Sequence, residues 1–244
     1  MSRDSLRCIF YIILKDMRTY YLKPPSISWG IIFPLAWTLA FYLRHPQTFA
    51  QLVPGMVAMT AIFSTTAAEA VVINFELRVG SMERLLLAPI SPGGIFLAKL
   101  LGGFAFGFLM TLVVAIGSSL ALGIHLNVPI FLLVLIFSLL SFASLGAFIC
   151  VSVKEIFEAQ TLLNLPRFIM IFLSGVITPI SALPHYLQYI SYLMPLTYTV
   201  DGFRHAISQA TYQGINIWLD ILVLLVFSLA FILPGRRMLE RKFE

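Results

Sequence analysis

The sequence predicts an all-α membrane protein with six transmembrane helices, and three observations lead to this fold class. Hydrophobic residues make up 59% of the 244 residues, whereas charged residues make up only 11%, against roughly 25% in soluble domains. Long uncharged windows alternate with short charged stretches, as expected because charges are disfavoured at the bilayer centre. Since one crossing needs about 20 apolar residues, this length fits six crossings in one membrane domain.

Residues 1–24 precede the first crossing and predict an amphipathic helix that lies on the inner membrane surface. Its apolar residues recur at helical spacing, opposite three basic residues: Leu6, Ile9, Phe10, Ile13, Leu14 and Met17 against Arg7, Lys15 and Arg18. These charges interrupt any long apolar core, so the segment is not expected to be a secretory signal. A simple interfacial anchor and a helix that contacts a partner both remain open.

The uncharged windows define the crossings. We place the spans at about residues 26–43, 52–74, 95–123, 129–153, 161–181 and 216–234. The longest window, residues 100–153, is divided by Asn127-Val128-Pro129, which is typical of a turn. Residues 26–234 therefore form a six-span bundle, and residues 235–244 form a cytoplasmic tail.

The basic residues predict the orientation of the chain. Arg44 and Arg204 lie on one side, and the other Lys and Arg residues lie on the opposite side: Arg3, Arg7, Lys15, Arg18, Lys23, Arg78, Arg84, Lys99, Lys154, Arg167, Arg236, Arg237, Arg241 and Lys242. By the positive-inside rule, both termini face the cytoplasm and the protein resides in the cell membrane. Because these residues are dispersed beside the spans, the net charge of +5 indicates topology rather than nucleic-acid binding.

The sequence contains no pattern that predicts catalysis by this chain. It has no G-x-x-x-x-G-K-[ST] phosphate loop and no H-E-x-x-H motif. The four histidines occur singly, so we expect no metal site, and the two cysteines are expected to serve packing. We therefore expect no bound cofactor, and an intramembrane hydrolase is disfavoured.

Glu69, Arg167 and Asp220 are ionisable residues that lie within predicted spans. Glu69 follows Thr65 and Thr66 in the inner half of the second span. It could line a substrate path or carry a proton, or it could pair with a neighbouring helix near the cytoplasmic surface. Arg167, next to Pro166, is expected to reach the inner headgroups, and Asp220 is expected at the outer interface of the last span.

Residues 75–92 form the densest charged segment inside the apolar body of the chain. Gly80 permits a tight bend, and Ser91-Pro92 is a typical N-cap and first-turn pair for the third span. Between them we expect a short helix from about Ser81 to Leu87, exposing Glu83 and Arg84 and turning Leu85 and Leu86 toward the bundle. Its spacing alone fits either a docking surface or an ordinary solvated loop helix.

Two blocks of the sequence resemble permease subunits of type-2 ATP-binding-cassette exporters, in particular the drug- and lipid-type subgroup. The first block comprises Glu76, Gly80-Ser81-Met82-Glu83, Leu85-Leu86, Pro89, Ser91 and Lys99. The second comprises residues 172–179, Leu183-Pro184, residues 194–198 and residues 201–204. With six spans and cytoplasmic termini, the resemblance covers essentially the whole chain. Leu77 to Val79 depart from the family pattern.

The resemblance implies two working parts in this chain. The first is a cytoplasmic coupling helix that contacts an ATPase, with residues Glu76, Gly80, Ser81, Glu83, Arg84, Leu85, Leu86 and Pro89. The second is a re-entrant outer hairpin between spans 5 and 6 that gates release, with residues Gly175, Pro179, Pro184, Pro195, Tyr198, Asp201 and Arg204. Tyr186, Tyr189 and Tyr192 allow the alternative of an interfacial aromatic belt without a gating role.

The resemblance also implies the complex in which the chain works. Two cytoplasmic ATPase subunits would bind ATP and Mg²⁺, a second copy or a similar permease would complete the membrane part, and lipids would surround it. The substrate would be amphipathic, either drug-like or lipid-like. The alternative is an ion-coupled secondary transporter with Glu69 as its coupling site. Such transporters often contain inverted repeats, and we find no convincing repeat between the first and last three spans.

Overall fold

The computed structural model describes residues 3–44, 49–153, 155–207, 212 and 214–243, and every regular element in these ranges is helical. Lys154, one of the residues used to predict orientation, lies outside the described residues. The α-helices are α1 Arg3–Asp16, α2 Pro24–Ile27, α3 Phe33–Arg44, α4 Phe49–Arg78, α5 Ser81–Leu85, α6 Pro92–Leu122, α7 Val128–Ser152, α8 Ile156–Leu173, α9 His185–Ser191, α10 Pro195–Ile207 and α11 Ile217–Lys242.

Six helical segments are long and apolar enough to cross a membrane, which confirms the six predicted spans. They are Pro24–Leu43, Ala50–Arg78, Pro92–Leu122, Val128–Ser152, Ile156–Leu173 and Ile217–Lys242. Every residue in the most apolar stretch of the second span is buried. In the corresponding stretches of the first and sixth spans, only 17% of the residues are buried. The second span, α4, is therefore the central helix, and it packs against α6 and α7.

Two span ends differ from the prediction. The fifth span ends at Leu173 rather than near residue 181, because Gly175 turns the chain with a left-handed φ of 79°. The sixth span continues through Pro234 to Lys242, so most of the expected tail is helical. An internal proline does not end this helix, since neighbouring helices can support the loss of one backbone hydrogen bond.

The predicted N-cap at Ser91 and the predicted turn at Asn127 are both confirmed. Ser91 caps α6 by accepting a hydrogen bond from the Gly94 amide, with Pro92 in the first turn. Asn127 caps α7 in the same way, accepting from the Ile130 amide, with Pro129 in the first turn. These caps satisfy backbone amides that have no partner within their own helix.

The N-terminal helix α1 packs along α6 at the end of the bundle that also carries α5. Ile9 and Ile12 are buried in this contact, whereas Leu6, Phe10 and Tyr11 remain exposed. Apolar side chains are thus present on both the packed face and the open face of the helix.

Two large apolar clusters stabilise opposite halves of the bundle. One contains Phe63, Phe142 and Phe203 and joins α4 and α7 to α10. The other contains Ile73, Phe96 and the α5 residue Met82. Because α6 is 31 residues long, at about 1.5 Å per residue it separates the α5 end of the bundle from the α10 end by roughly 45 Å.

Candidate functional site

The short helix α5 projects at the turn between the second and third spans. Gly80 precedes it with φ of 68°, a conformation that favours glycine, which confirms the predicted bend. The helix covers Ser81–Leu85 and is shorter than the predicted segment, which extended to Leu87. Glu83 and Arg84 are exposed, as predicted from the sequence.

Met82 attaches this helix to the bundle, with only 1% of its surface exposed. Leu85 and Leu86, which the sequence analysis assigned to this task, are only partly buried. Pro89 is exposed, and its carbonyl accepts a hydrogen bond of 3.3 Å from the Ser5 hydroxyl of α1. One buried anchor therefore holds a helix whose charged face is open.

Glu76 lies in α4 rather than in the short helix, and it belongs to a cluster of four charged side chains that we call the Lys99 junction: the exposed Lys15 and the buried Asp16, Glu76 and Lys99. The Lys99 ammonium lies 2.7 Å from Asp16 Oδ2 and 2.6 Å from Glu76 Oε2. Lys15 lies 2.5 Å from Glu76 Oε1 and 3.1 Å from Asp16 Oδ1. Lys99 and Glu76 are each 1% exposed, and Asp16 is fully buried.

The junction connects three helices through compensated charges. Burial raises the pKa of Asp16. The negative charge of Glu76 raises that pKa further, whereas the Lys99 charge lowers it. Burial lowers the pKa of Lys15, but its hydrogen bond to Glu76 and the two carboxylate charges leave that pKa above its ordinary value. With two cations and two carboxylates in direct contact, the junction fixes α1 and α6 to the end of α4, next to α5.

Glu69 lies on the central helix and is completely buried. Its carboxylate fits against two glycines, Gly103 of α6 and Gly146 of α7, where an added Cβ would overlap the Glu69 oxygens. Neither oxygen has a hydrogen-bond partner among the described residues. Thr65 and Thr66 are also buried, and each donates its hydroxyl hydrogen to the carbonyl four residues earlier. All three are enclosed by protein within one chain.

Arg167 does not reach the inner headgroups, so the sequence-based expectation for it is wrong. It is 2% exposed and lies roughly 16 Å from the start of α8 at Ile156, in a helix long and apolar enough to cross a membrane. Its Nε donates to Thr66 Oγ1 at 2.7 Å, and its Nη1 donates to Asn164 Oδ1 at 2.8 Å. The guanidinium also lies 5.3 Å from the centre of the Phe63 ring. These contacts inside the bundle satisfy the charge better than a path through apolar side chains to the headgroups.

A groove of about 320 Å³ opens between the first, second and fifth spans. Polar side chains contribute much of its lining: Ser26, Gln160, Asn164 and Arg167. The Nη2 atom of Arg167 has no hydrogen-bond partner among the described residues. The groove therefore collects the Arg167 guanidinium and the amides of Gln160 and Asn164 on one helix, the fifth span, whose most apolar window is 28% buried.

The predicted gate residues lie at the opposite end of the bundle. Gly175 and Pro179 follow α8, Pro184 precedes α9, and Pro195 begins α10. A cavity of about 420 Å³ lies among these segments, and Pro179, Asp201 and Arg204 contribute to its lining. Pro184 is exposed and stands apart from this cavity.

Hydrogen bonds hold the segments around this cavity together. Arg204 Nη2 donates to the Gly175 carbonyl, and the Tyr198 hydroxyl donates to the Tyr192 carbonyl at 2.7 Å. The Ser191 hydroxyl bonds the Leu173 carbonyl at 2.7 Å, so α9 returns beside the end of α8. Tyr186 and Tyr189 are exposed, which leaves the alternative of an interfacial aromatic belt open.

Sequence reasoning missed the residues that join different helices. Lys15 and Asp16 were assigned to a surface helix, and Met82 was only part of a motif. A lysine inside an apolar span, as Lys99 is, signals a buried carboxylate partner, but the partners come from positions 83 and 23 residues away. Sequence spacing alone does not show which of several carboxylates pairs with Lys99.

Comparison with known proteins agrees with these features. The family model described as ABC-2 type transporter matches residues 7–208. The chain is 27% identical to "Putative transport permease ycf38" of Cyanophora paradoxa, over 91% of this chain and 85% of that protein. It is 26% identical to "Probable multidrug ABC transporter permease YbhS" of Escherichia coli K12, over 78% of this chain and 50% of that protein. It is 28% identical to "Inner membrane transport permease YhhJ" of the same organism, over 62% of this chain and 41% of that protein. The chain thus spans about half the length of the E. coli relatives or less.

Proposed function

This chain belongs to the ABC-2 type transporter family and is a membrane permease of that class, and from this premise we propose that it forms the membrane part of an exporter. Separate cytoplasmic ATPase subunits, two in each complex, bind ATP and Mg²⁺ and hydrolyse the ATP. The permease uses that energy to move an amphipathic, drug-like or lipid-like substrate out of the cytoplasm. It performs no catalysis of its own.

The observation that carries this proposal is the exposed face of α5 on a rigid support. Glu83 and Arg84 are open to a partner, whereas Met82 is buried in the bundle. The adjacent Lys99 junction ties α4 to α6 and α1 through three ion pairs of 2.5 to 2.7 Å. A helix connected in this way transmits the movement of a partner to the spans instead of bending independently.

The groove beside Arg167 supports the proposal that a second permease copy packs against this chain. A polar groove cannot face lipid without a large desolvation penalty, yet the first span that borders it is mostly exposed. A homodimer, or a pair with a similar permease, would cover the groove and place it at a shared interface. The substrate path then passes the Arg167 side of Thr66 and Glu69.

At the other end of the bundle, we propose that the segments from Gly175 to Arg204 form a re-entrant hairpin that controls release. Non-helical backbone at membrane depth is tolerated where it is buried or lines a cavity. Pro179 lines the 420 Å³ cavity, and Gly175 directly follows the lining residue Ser174. The buried helix α10 comes next along the cavity wall. Both termini and α5 face the cytoplasm in this arrangement, and α1 lies along the inner surface.

A charge reversal on α5 tests the proposal. Glu83→Lys should lower permease-dependent ATP hydrolysis by the co-purified ATPase at least about tenfold, since one charged contact in a protein interface is worth roughly 1.4 kcal/mol or more. Glu158→Lys is the matched control, because Glu158 is an exposed glutamate in the first turn of α8. If Glu83→Lys leaves both assembly and coupled hydrolysis at the wild-type level, α5 is not the coupling surface.

The second candidate is an ion-coupled secondary transporter, and the buried Glu69 carboxylate favours it. A buried carboxylate without a hydrogen-bond partner is a common form of proton or cation site. Transport should then persist when the ATPase is inactivated but collapse in Glu69→Gln. Loss of transport with the inactive ATPase, together with activity retained in Glu69→Gln, excludes this candidate.

A further inference from the structure

A cluster of three potential metal ligands lies where α10 meets the start of α11. Asp201 and His205 are one turn apart on α10, and Asp220 is in the first turn of α11. One ligand atom from each residue lies within 4.8 Å of the other two. The cluster borders the outer cavity through Asp201, and it has no part in the coupling surface described above.

Asp220 is the member that most needs a ligand. It was expected at the outer membrane interface, but it is fully buried in the protein. Neither carboxylate oxygen accepts a hydrogen bond from an N–H or hydroxyl donor among the described residues, and the carboxyl group faces that of Asp201. Burying a carboxylate without a partner is strongly unfavourable, and a bound cation removes that penalty.

Neighbouring groups hold the other two ligands in place. Asp201 Oδ1 accepts a hydrogen bond from the Tyr212 hydroxyl, and Asp201 Oδ2 accepts one of 3.0 Å from the Ile215 amide. His205 Nε2 lies 3.4 Å from Asp201 Oδ2. Two ligands that bind one ion at about 2.1 Å in tetrahedral geometry are about 3.4 Å apart, so this spacing suits an ion between them.

The Ile215 carbonyl oxygen accepts a hydrogen bond of 2.7 Å from His205 Nε2. In the metal-free protein a proton on Nε2 can bridge these two atoms, and a bound ion would replace that proton. The nearby Arg204 does not neutralise the cluster, because its Nη2 donates to the Gly175 carbonyl and its guanidinium lies over the Tyr212 ring.

We propose that Asp201, His205 and Asp220 bind one divalent transition-metal ion such as Zn²⁺ or Mn²⁺. Two carboxylates balance the charge of the ion, and an imidazole favours a transition metal over Mg²⁺ or Ca²⁺. The ion would tie α10 to α11 beside the outer cavity. No sequence motif predicts the site, because its ligands come together only when these two helices pack.

Metal binding by the full-length chain tests this site. The protein is purified in lipid nanodiscs, stripped with a chelator and titrated with ZnCl₂ or MnCl₂, while bound metal and the melting temperature are measured. We expect about one ion per chain and a higher melting temperature with metal. Asp220→Asn should lose this response while remaining folded without metal, because the change removes a buried charge that has no partner.

Three further variants make the result specific. Tyr212→Phe removes the hydroxyl that donates to Asp201 while keeping the ring, and it should weaken binding roughly tenfold to a hundredfold, as outer-shell changes do. His205→Gln should reduce the affinity for Zn²⁺ more than the affinity for Ca²⁺. If Asp220→Asn does not fold, His205→Gln becomes the decisive variant. Glu158→Gln, an exposed carboxylate on α8, should bind like the wild type. The proposal is overturned if the wild type binds neither Zn²⁺ nor Mn²⁺, or if binding persists unchanged in Asp201→Asn/Asp220→Asn.

Discussion

Lys99 is buried near the start of the third span because Asp16 and Glu76 bring carboxylates to it from two other helices. Inside a bundle, the transfer of a charge from water is unfavourable by several kcal/mol unless a partner compensates it. Lys99 therefore stabilises the junction by compensating both carboxylates. Without it, the burial of Asp16 and Glu76 would destabilise the fold. The sequence shows the lysine, but only packing identifies its partners.

Replacing the central cation should destabilise the fold strongly. Lys99→Met leaves Asp16 and Glu76 buried beside each other with only Lys15 to compensate them, so we expect a loss of about 3–5 kcal/mol. Thermal unfolding of the purified chain in detergent measures this loss. Lys99→Met combined with Asp16→Asn and Glu76→Gln should recover much of the stability, because it removes the uncompensated charges. A triple variant no more stable than Lys99→Met would contradict this account.

Two glycines decide whether Glu69 can be buried at all. Gly103→Ala should destabilise the protein by about 1–3 kcal/mol, because the new methyl group would overlap the Glu69 carboxylate and force both helices apart. Gly117→Ala on the same helix is the matched control, since an added Cβ there meets no atom within 4 Å. The control should be neutral or stabilising by up to about 1 kcal/mol. Equal melting temperatures for the two variants would argue against close packing around Glu69.

At the scale of elements, local chemistry sets where helices begin and tertiary contacts set where they attach. The cap at Ser91, the turn at Asn127 and the bend at Gly80 depend on neighbouring residues, so all three were readable from the sequence. The end of α8 was not. It depends on the turn at Gly175 and on the bond that Arg204 makes to the Gly175 carbonyl from another helix.

The bend at Gly80 should matter for coupling beyond its effect on stability. Gly80→Ala places a Cβ in a left-handed conformation, at a penalty of roughly 1–2 kcal/mol, and should tilt α5 away from its partner. Gly123→Ala carries the same backbone penalty at the opposite end of the bundle, with φ of 63°. Melting temperatures should fall similarly, whereas permease-dependent ATP hydrolysis should fall only in Gly80→Ala. Equal losses of hydrolysis would show that coupling follows stability alone.

At the scale of the whole molecule, the central position of α4 organises everything else. Its buried face carries Glu69 in the middle of the bundle and Glu76 at the Lys99 junction. The more exposed first, fifth and sixth spans surround it, which leaves them available to lipid or to another copy. In the proposed coupling, movement applied at α5 would reach the core through α4, which contacts α5 and most of the other spans.

Orientation in the membrane is a whole-molecule property that labelling can test. In a background with Cys8 and Cys150 replaced by alanine, Arg84→Cys should react with a membrane-impermeant maleimide only in inside-out vesicles. His125→Cys, at an exposed position in the turn between α6 and α7 at the opposite end, should react only in intact cells. The physical reason is the placement of most Lys and Arg residues on the α5 side. Reversed labelling would invert the proposed topology.

The sequence by itself determined the number of spans, the approximate limits of most of them, the cap at Ser91, the bend at Gly80 and the exposed face of α5. These features depend on composition, on apolar length and on interactions between residues a few positions apart. Only the tertiary structure decided that Arg167 stays inside the bundle, that Met82 anchors α5, that Lys99 joins Asp16 to Glu76, and that Asp220 faces Asp201 and His205. The physical reason is the same in each case: a buried charge or anchor is defined by side chains from distant parts of the chain, and only helix packing selects them.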